Sequence, residues 1–218
     1  KYVIGTHVMF FEIEMNKDFI SGLVNLLNTV ENKENVTIDL CLNLSQHFER
    51  LDRDKMNESD ILSKFKKGIL TLEELGYNVV YNVHTQDDGF YFHTDYRRDL
   101  NYNYCKKVDY VMWGETDSFF PRDSTWDALV HPKFENHIFV DDENGHLNPN
   151  QAKSPMSIEK MNEINAETKE FDFRCLNRPQ LSGACLVLSS DLIKFGVNIP
   201  PCMVYNDDHG LSIMSQKL

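Results

Sequence analysis

The feature that most constrains this chain is the alternation of apolar, strand-like runs with amphipathic helical stripes. Residues 2–11 are β-rich and apolar, which suits a buried first strand. Residues 17–30 place Phe19, Leu23, Leu26, Leu27 and Val30 on one helical stripe, with Asn16 positioned to cap it. Residues 36–44 read as a second strand. Asn57 then opens a helix whose stripe is Ile61, Phe65, Ile69, Leu72 and Leu75, with Gly76 as its stop. Asn78–His84 reads as a third strand. After a loop holding Asp87-Asp88-Gly89, Thr94 or Asp95 caps a helix expected to run to about Lys107. A fourth strand, residues 108–113, leads straight into Gly114-Glu115-Thr116-Asp117. The order β-α-β-α-β-α-β implies an α/β fold with a mainly parallel central sheet flanked by helices.

Residues 141–172 break the pattern. They are rich in Asn, Glu and Lys, contain Pro149 and Pro155, and read as a surface excursion with one helix near 157–168. Regular structure resumes at Leu181. No repeat and no composition break divides the chain, so a single domain over 1–218 is expected.

A net charge of −12 gives no general attraction for nucleic acid, although Arg97-Arg98 with Lys106-Lys107 is a local basic patch. No apolar run is long enough to span a membrane. Glu12 and Glu14 interrupt the first apolar run and no basic region precedes it, so the start does not read as a signal peptide. The five cysteines include no Cys-x-x-Cys pair, and most sit among apolar neighbours. A reducing, cytoplasmic setting is the expectation. The sequons at Asn35, Asn43 and Asn57 carry little weight in that setting.

Ligands of an open parallel sheet bind outside the carboxyl ends of its strands. Four loops qualify, beginning near Gly5, Asn43, His84 and Gly114. The last is the most informative, because carboxylates at Glu115 and Asp117 can reach one cation from an extended turn. Mg²⁺ or Mn²⁺ takes such oxygen ligands and shares them with substrate phosphates. A polar loop after a strand would look the same taken alone.

In context, residues 107–118 resemble the Asp-x-Asp region of GT-A glycosyltransferases, with Glu115 standing where that family has its first Asp. The helix carrying Arg97-Arg98-Asp99-Leu100-Asn101 resembles the Arg-Asn helix that precedes the acidic motif, so Arg98 and Asn101 become candidate nucleotide contacts. Residues 181–189 resemble the family's acceptor-side segment, with Ser182 and Gly183 at its start. Tyr205-Asn206-Asp207-Asp208-His209-Gly210 resembles the acidic turn that carries a general base in inverting members.

The resemblance implies a nucleotide-sugar-binding half over about 1–121 and an acceptor half over about 122–218. It implies Mn²⁺ or Mg²⁺ on the donor diphosphate, with Glu115 and Asp117 as ligands and His209 as a candidate third. Asp208, then Asp207, are the base candidates; both would also serve to cap the helix that follows. Gly5, Thr6 and His7 stand where the family begins its base pocket. Asn43 stands at a second nucleotide contact that is often Asp. Trp113 and Gly114 flank the acidic motif, and Trp113 suits the core as well as it suits ligand stacking.

The expected acceptor is a glycan or a modified DNA base. Compact enzymes of this type without a membrane anchor occur among bacterial and viral proteins, so host cytoplasm is expected if the chain is viral. The same fold without turnover would be a nucleotide- or carbohydrate-binding protein. The absence of Gly-x-Gly-x-x-Gly after the first strand, of a P-loop, and of Gly-x-Ser-x-Gly excludes the obvious dinucleotide, NTPase and hydrolase readings.

Overall fold

The structure is a computed structural model that describes residues 1–45, 57–116, 126, 185–203 and 211. Its strands are β1 (Tyr2–Met9), β2 (Val36–Asn43), β3 (Asn78–His84), β4 (Tyr110–Gly114) and β5 (Cys185–Ser189). Its helices are α1 (Ile13–Leu27), α2 (Glu58–Glu74), α3 (His93–Tyr104) and the short α4 (Ser190–Lys194). The sheet order is β3-β2-β1-β4-β5, with β1 parallel to β2 and β4, β2 parallel to β3, and β5 antiparallel to β4. The expected mainly parallel α/β fold is what forms.

β1 is central and buried from Val3 to Met9, which is why its sequence is a continuous apolar run rather than an alternation. Alternate residues feed two cores. Ile4 and Val8 of β1, with Ile38, Leu40 and Leu42 of β2, pack under α1 and α2. Val3, Cys41, Val111 and Trp113 pack under α3 and α4. β5, from the second half of the chain, joins the same sheet, and Ile193 of α4 packs into the core on its α3 face.

The helix boundaries differ from the sequence expectations for local reasons. α1 begins at Ile13, directly after a 3-10 turn at Phe10–Glu12. Asn16 therefore lies inside α1, buried against α2, and caps nothing. α3 starts at His93, and neither Thr94 nor Asp95 is its N-cap. Asp95 sits in the first turn instead, and its carboxylate accepts the Phe92 N–H at 3.0 Å. α3 ends at Tyr104, because the N–H groups of Lys107 and Val108 both turn back onto the Tyr104 carbonyl. That fold-back delays β4 to Tyr110. The Asn57 cap forms as expected, its side chain accepting the Asp60 N–H at 3.2 Å.

α3 is clamped to the sheet through one half-buried carboxylate. Asp39 accepts from the Tyr96 hydroxyl at 2.9 Å and the Tyr104 hydroxyl at 2.8 Å. Gly5, beside Asp39 in register, makes the clamp feasible. A Cβ there would overlap Leu100 Cδ2 and stand 2.8 Å from the Tyr96 hydroxyl.

Candidate functional site

The chain lays down β1, β2 and β3 in one direction and then places β4 on the other side of β1. The connections leaving β1 and β4 therefore diverge. In an open α/β sheet this reversal leaves a crevice beyond the carboxyl ends of the strands. A cavity of about 210 Å³ occupies that position, lined by His7, Met9, Glu12, His93, Arg97, Gly114, Glu115 and Thr116.

Its central interaction is an ion pair. Arg97 donates from Nη2 to Glu115 Oε1 at 2.6 Å, with Arg97 3% exposed and Glu115 37% exposed. The guanidinium lies over the Trp113 ring, 5.0 Å from its centroid. Trp113 is held in turn by its indole N–H, which donates to Asn101 Oδ1 at 2.9 Å. The Asn101 amide then donates to Asn198 Oδ1 at 2.9 Å. Arg97 is thus aimed by a stack of buried groups and not by its own flexible stem. His93 belongs to the first turn of α3, so that helix's positive end also faces the cavity.

The opposite wall comes from the turn after β1. Thr116 donates its hydroxyl to Glu12 Oε2 at 2.7 Å, and the Met9 N–H reaches the same oxygen at 3.4 Å. The β1 turn and the loop after β4 are tied together across the crevice.

A second polar cluster sits at the ends of β1, β2 and β3. Asn43 Oδ1 accepts from the Ser45 N–H at 2.8 Å and the Ser45 hydroxyl at 2.6 Å, which fixes the orientation of its amide. Its Nδ2 then donates to the Tyr91 carbonyl at 2.5 Å and lies 3.1 Å from His7 Nε2. His7 stacks on Tyr96, and His84 stacks on Tyr91.

The structure gathers His7, Gly114 and Glu115 at the cavity and disperses other sequence candidates. Gly5 and Thr6 lie within β1, not on a loop; the strand continues to Met9. Arg98 points away, pairing with Asp95 and donating to the Pro200 carbonyl at 3.4 Å. Asn101 and Trp113 stand behind Arg97, fully or almost fully buried. Asp117, Ser182, Gly183, Asp207, Asp208 and His209 lie outside the described residues. The sequence marks His93, with His7 and His84, only as a histidine near a strand end, and it singles out none of Arg97, Glu12 and Thr116 as a site residue in its own right. One signal was present for Arg97: Thr94, Arg97 and Asn101 follow an i, i+3, i+7 spacing, and all three are buried polar residues.

Glu12, Glu115 and Thr116 give the cavity hard oxygen donors of the kind Mg²⁺ or Mn²⁺ takes. Glu115 Oε1 is engaged by Arg97, and Glu12 Oε2 by Thr116. Among the described residues no three His, Cys, Asp or Glu side chains converge as a metal group requires. The described residues do not by themselves fit a metal centre. Nor does the region hold an activated thiol: burial, then the charges of Asp39 and Asp99, push Cys41 up to about 12. No helix among the described residues is long and apolar enough to cross a membrane.

This mainly parallel five-stranded sheet flanked by helices matches the fold of GT-A glycosyltransferase structures. In particular, the chain is similar to S. aureus TarS 1–349, with a TM-score of 0.53 and 13% identity over 99% of this chain and 55% of that one. It is similar to the same protein in complex with UDP-GlcNAc, with a TM-score of 0.51 and 12% identity over 98% of this chain and 52% of that one. For the complex with UDP, the TM-score is 0.52 and the identity 13%, over 98% and 54%. The chain spans about half the length of these TarS chains, and at such identities the likeness shows the fold alone. No family model matches the chain. No curated protein matches it closely enough in sequence to count as a relative.

Proposed function

We propose that the chain is a glycosyltransferase that moves a sugar from a nucleoside-diphosphate sugar to a hydroxyl acceptor, a glycan or a modified nucleobase. The observation that carries this reading is the buried Arg97 aimed at Glu115 in the crevice where a sheet of this order binds its ligands. A leaving diphosphate needs positive potential, and Arg97 with the first turn of α3 supplies it.

In this reading the donor half is about 1–121 and the acceptor half about 122–218. Asp117 is the main ligand for Mn²⁺ or Mg²⁺, with Glu115 beside it and His209 as a third candidate. When bound, the cation offsets charge on the leaving diphosphate. Asp208, or else Asp207, takes the proton from the acceptor hydroxyl as its oxygen bonds to the sugar carbon and the bond to the diphosphate breaks. Ser182 and Gly183 belong to the acceptor side.

TarS has the same fold and is seen with UDP and UDP-GlcNAc, so UDP is the first nucleotide to try. Isothermal titration with nucleoside diphosphates, with and without Mn²⁺, tests the proposal. The expected result is metal-dependent binding that is lost in Asp117→Ala. Tight binding without metal points instead to a non-catalytic nucleotide- or carbohydrate-binding protein of this fold. If no nucleotide binds under any condition, the transferase reading falls.

A further inference from the structure

β3 is the edge of the sheet, and it lacks the usual defences of an edge strand. Its seven residues, Asn-Val-Val-Tyr-Asn-Val-His, contain no Lys, no Pro and no acid. In a chain of net charge −12, an uncharged edge is where two copies approach with least repulsion. Val80 is 43% exposed and Tyr81 51% exposed, and among the described residues no strand lies beyond it.

The backbone direction can be read from one bond. The His84 carbonyl accepts the Leu44 N–H at 2.8 Å, so His84 points its backbone groups at β2. In a parallel pair alternate residues point to opposite sides. Asn78, Val80 and Asn82 therefore also face β2, while Val79, Tyr81 and Val83 present their N–H and C=O groups outward. Among the described residues no strand takes them up.

The strand is nearly self-complementary about Tyr81. Antiparallel pairing with a second copy sets Tyr81 opposite Tyr81 and Val79 opposite Val83, all three being residues with outward backbone groups. Each such pair exchanges two hydrogen bonds. The side chains match as well. Val79, Tyr81 and Val83 share the α2 face with Ile38, Leu40 and Leu42. On the other face Val80 meets Asn82, and Asn78 meets His84.

Helix α2 fits the same two-fold axis. It lies over β3 with Phe65 against Tyr81. Its Lys64, Lys67, Gly68 and Thr71 face α1, while Ile61, Phe65, Ile69 and Leu72 face the sheet. By helical phase, Leu62, Lys66, Leu70 and the exposed Glu73 then lie on the flank toward the free edge, where the two-fold sets Glu73 against Ser59 of the mate. Leu70 is 55% exposed. An axis through Tyr81 passes near Lys66 and sets Leu62 of one α2 against Leu70 of the other. Two helices on adjacent strand pairs stand about 10 Å apart, a normal packing distance. The two Lys66 ammonium groups sit near the axis, and their long stems let them reach water.

We propose that two copies of this chain associate edge to edge through β3, forming one continuous ten-stranded sheet with α2 packed on its mate across the two-fold axis. The experiment is sedimentation equilibrium on the whole chain over a micromolar concentration series. The expected result is a mass rising from one chain toward two. Tyr81→Pro, which removes an outward N–H and no β2–β3 bond, shifts the dissociation constant upward at least tenfold, and so does Leu70→Arg. The register has its own test. Val80 and Asn82 form a pair without mutual backbone bonds, about 4.5 Å apart at Cα, close enough for a disulfide. The double variant Val80→Cys/Asn82→Cys therefore forms a covalent dimer on mild oxidation, while Val80→Cys alone cross-links no more than the unaltered chain. A monomer mass at every concentration overturns the proposal, as does equal cross-linking by the single and double variants.

Discussion

Arg97 and Glu115 meet at 2.6 Å although one side chain is 3% exposed and the other 37%. The asymmetry decides what each removal does. Glu115→Gln leaves the guanidinium over Trp113 with a weaker acceptor. Removing one partner of a fully buried pair costs about 3–5 kcal/mol; with Glu115 partly in water, about 2 kcal/mol is expected. A shift in the urea midpoint measures it.

Arg97→Met separates the two arginines functionally. It removes the cation from the cavity and is expected to weaken UDP binding by about tenfold or more, the equivalent of about 1.4 kcal/mol. Arg98→Met breaks only the contacts to Asp95 and Pro200 and leaves UDP affinity within about twofold. Titration calorimetry on both variants checks the contrast. Equal losses would mean that the helix, and not Arg97, carries the effect.

Gly5 sets how close α3 lies to the sheet, and through α3 it sets Arg97. Gly5→Ala drives a methyl into Leu100 and the Tyr96 hydroxyl. Overpacking of this kind costs about 1–3 kcal/mol. Gly114→Ala meets the Phe19 ring edge at 3.0 Å and Thr6 Oγ1 at 3.4 Å, looser than the 2.2 Å approach at Gly5, and should cost less. Thermal unfolding of the two variants ranks them.

The sheet was legible because its strands are bounded by clear turns and its helices carry apolar stripes. Asn78–His84 matches its expected span residue for residue. What sequence could not give was the phase of α3. Its apolar residues, Tyr96, Leu100 and Tyr104, form a sparse stripe that does not rank the two adjacent arginines, and the family resemblance points to Arg98. They differ by about 100° around the helix, and packing of Leu100 and Tyr96 against the sheet turns Arg97 inward. Glu12 was read only as an interruption of the first apolar run. It binds Thr116 across 104 residues, and no local pattern encodes a contact that long.

Asp39 gives a pH prediction. Burial raises its pKa above the ordinary carboxylate value, and the Tyr104 and Tyr96 hydrogen bonds offset only part of that rise. A raised carboxylate pKa means the folded chain holds the proton more tightly than the unfolded chain. Stability therefore falls as pH climbs from the unfolded value, about 3.9, through the folded one. Asp39→Asn keeps a hydrogen-bonding partner for each tyrosine hydroxyl and removes the charge. It is expected to be more stable than the unaltered chain at neutral pH, with the gain vanishing near pH 4. Denaturant melts at both pH values measure this; a gain independent of pH would assign the effect to packing.

The Asn43 amide is committed on both sides. Oδ1 takes both Ser45 donors, so Nδ2 must face the Tyr91 carbonyl and His7. A neutral His7 then accepts at Nε2 and carries its proton on Nδ1. Asn43→Asp puts a carboxylate oxygen 2.5 Å from where the Tyr91 carbonyl now sits, and that carbonyl loses its donor. The expected cost is about 2 kcal/mol, read as a lower unfolding midpoint. The His7 proton is expected to move to Nε2, where it can meet the new carboxylate. Nitrogen-15 shifts of the imidazole distinguish the two tautomers. An unchanged tautomer with an unchanged midpoint would show that the Asn43 amide does not hold this corner of the site.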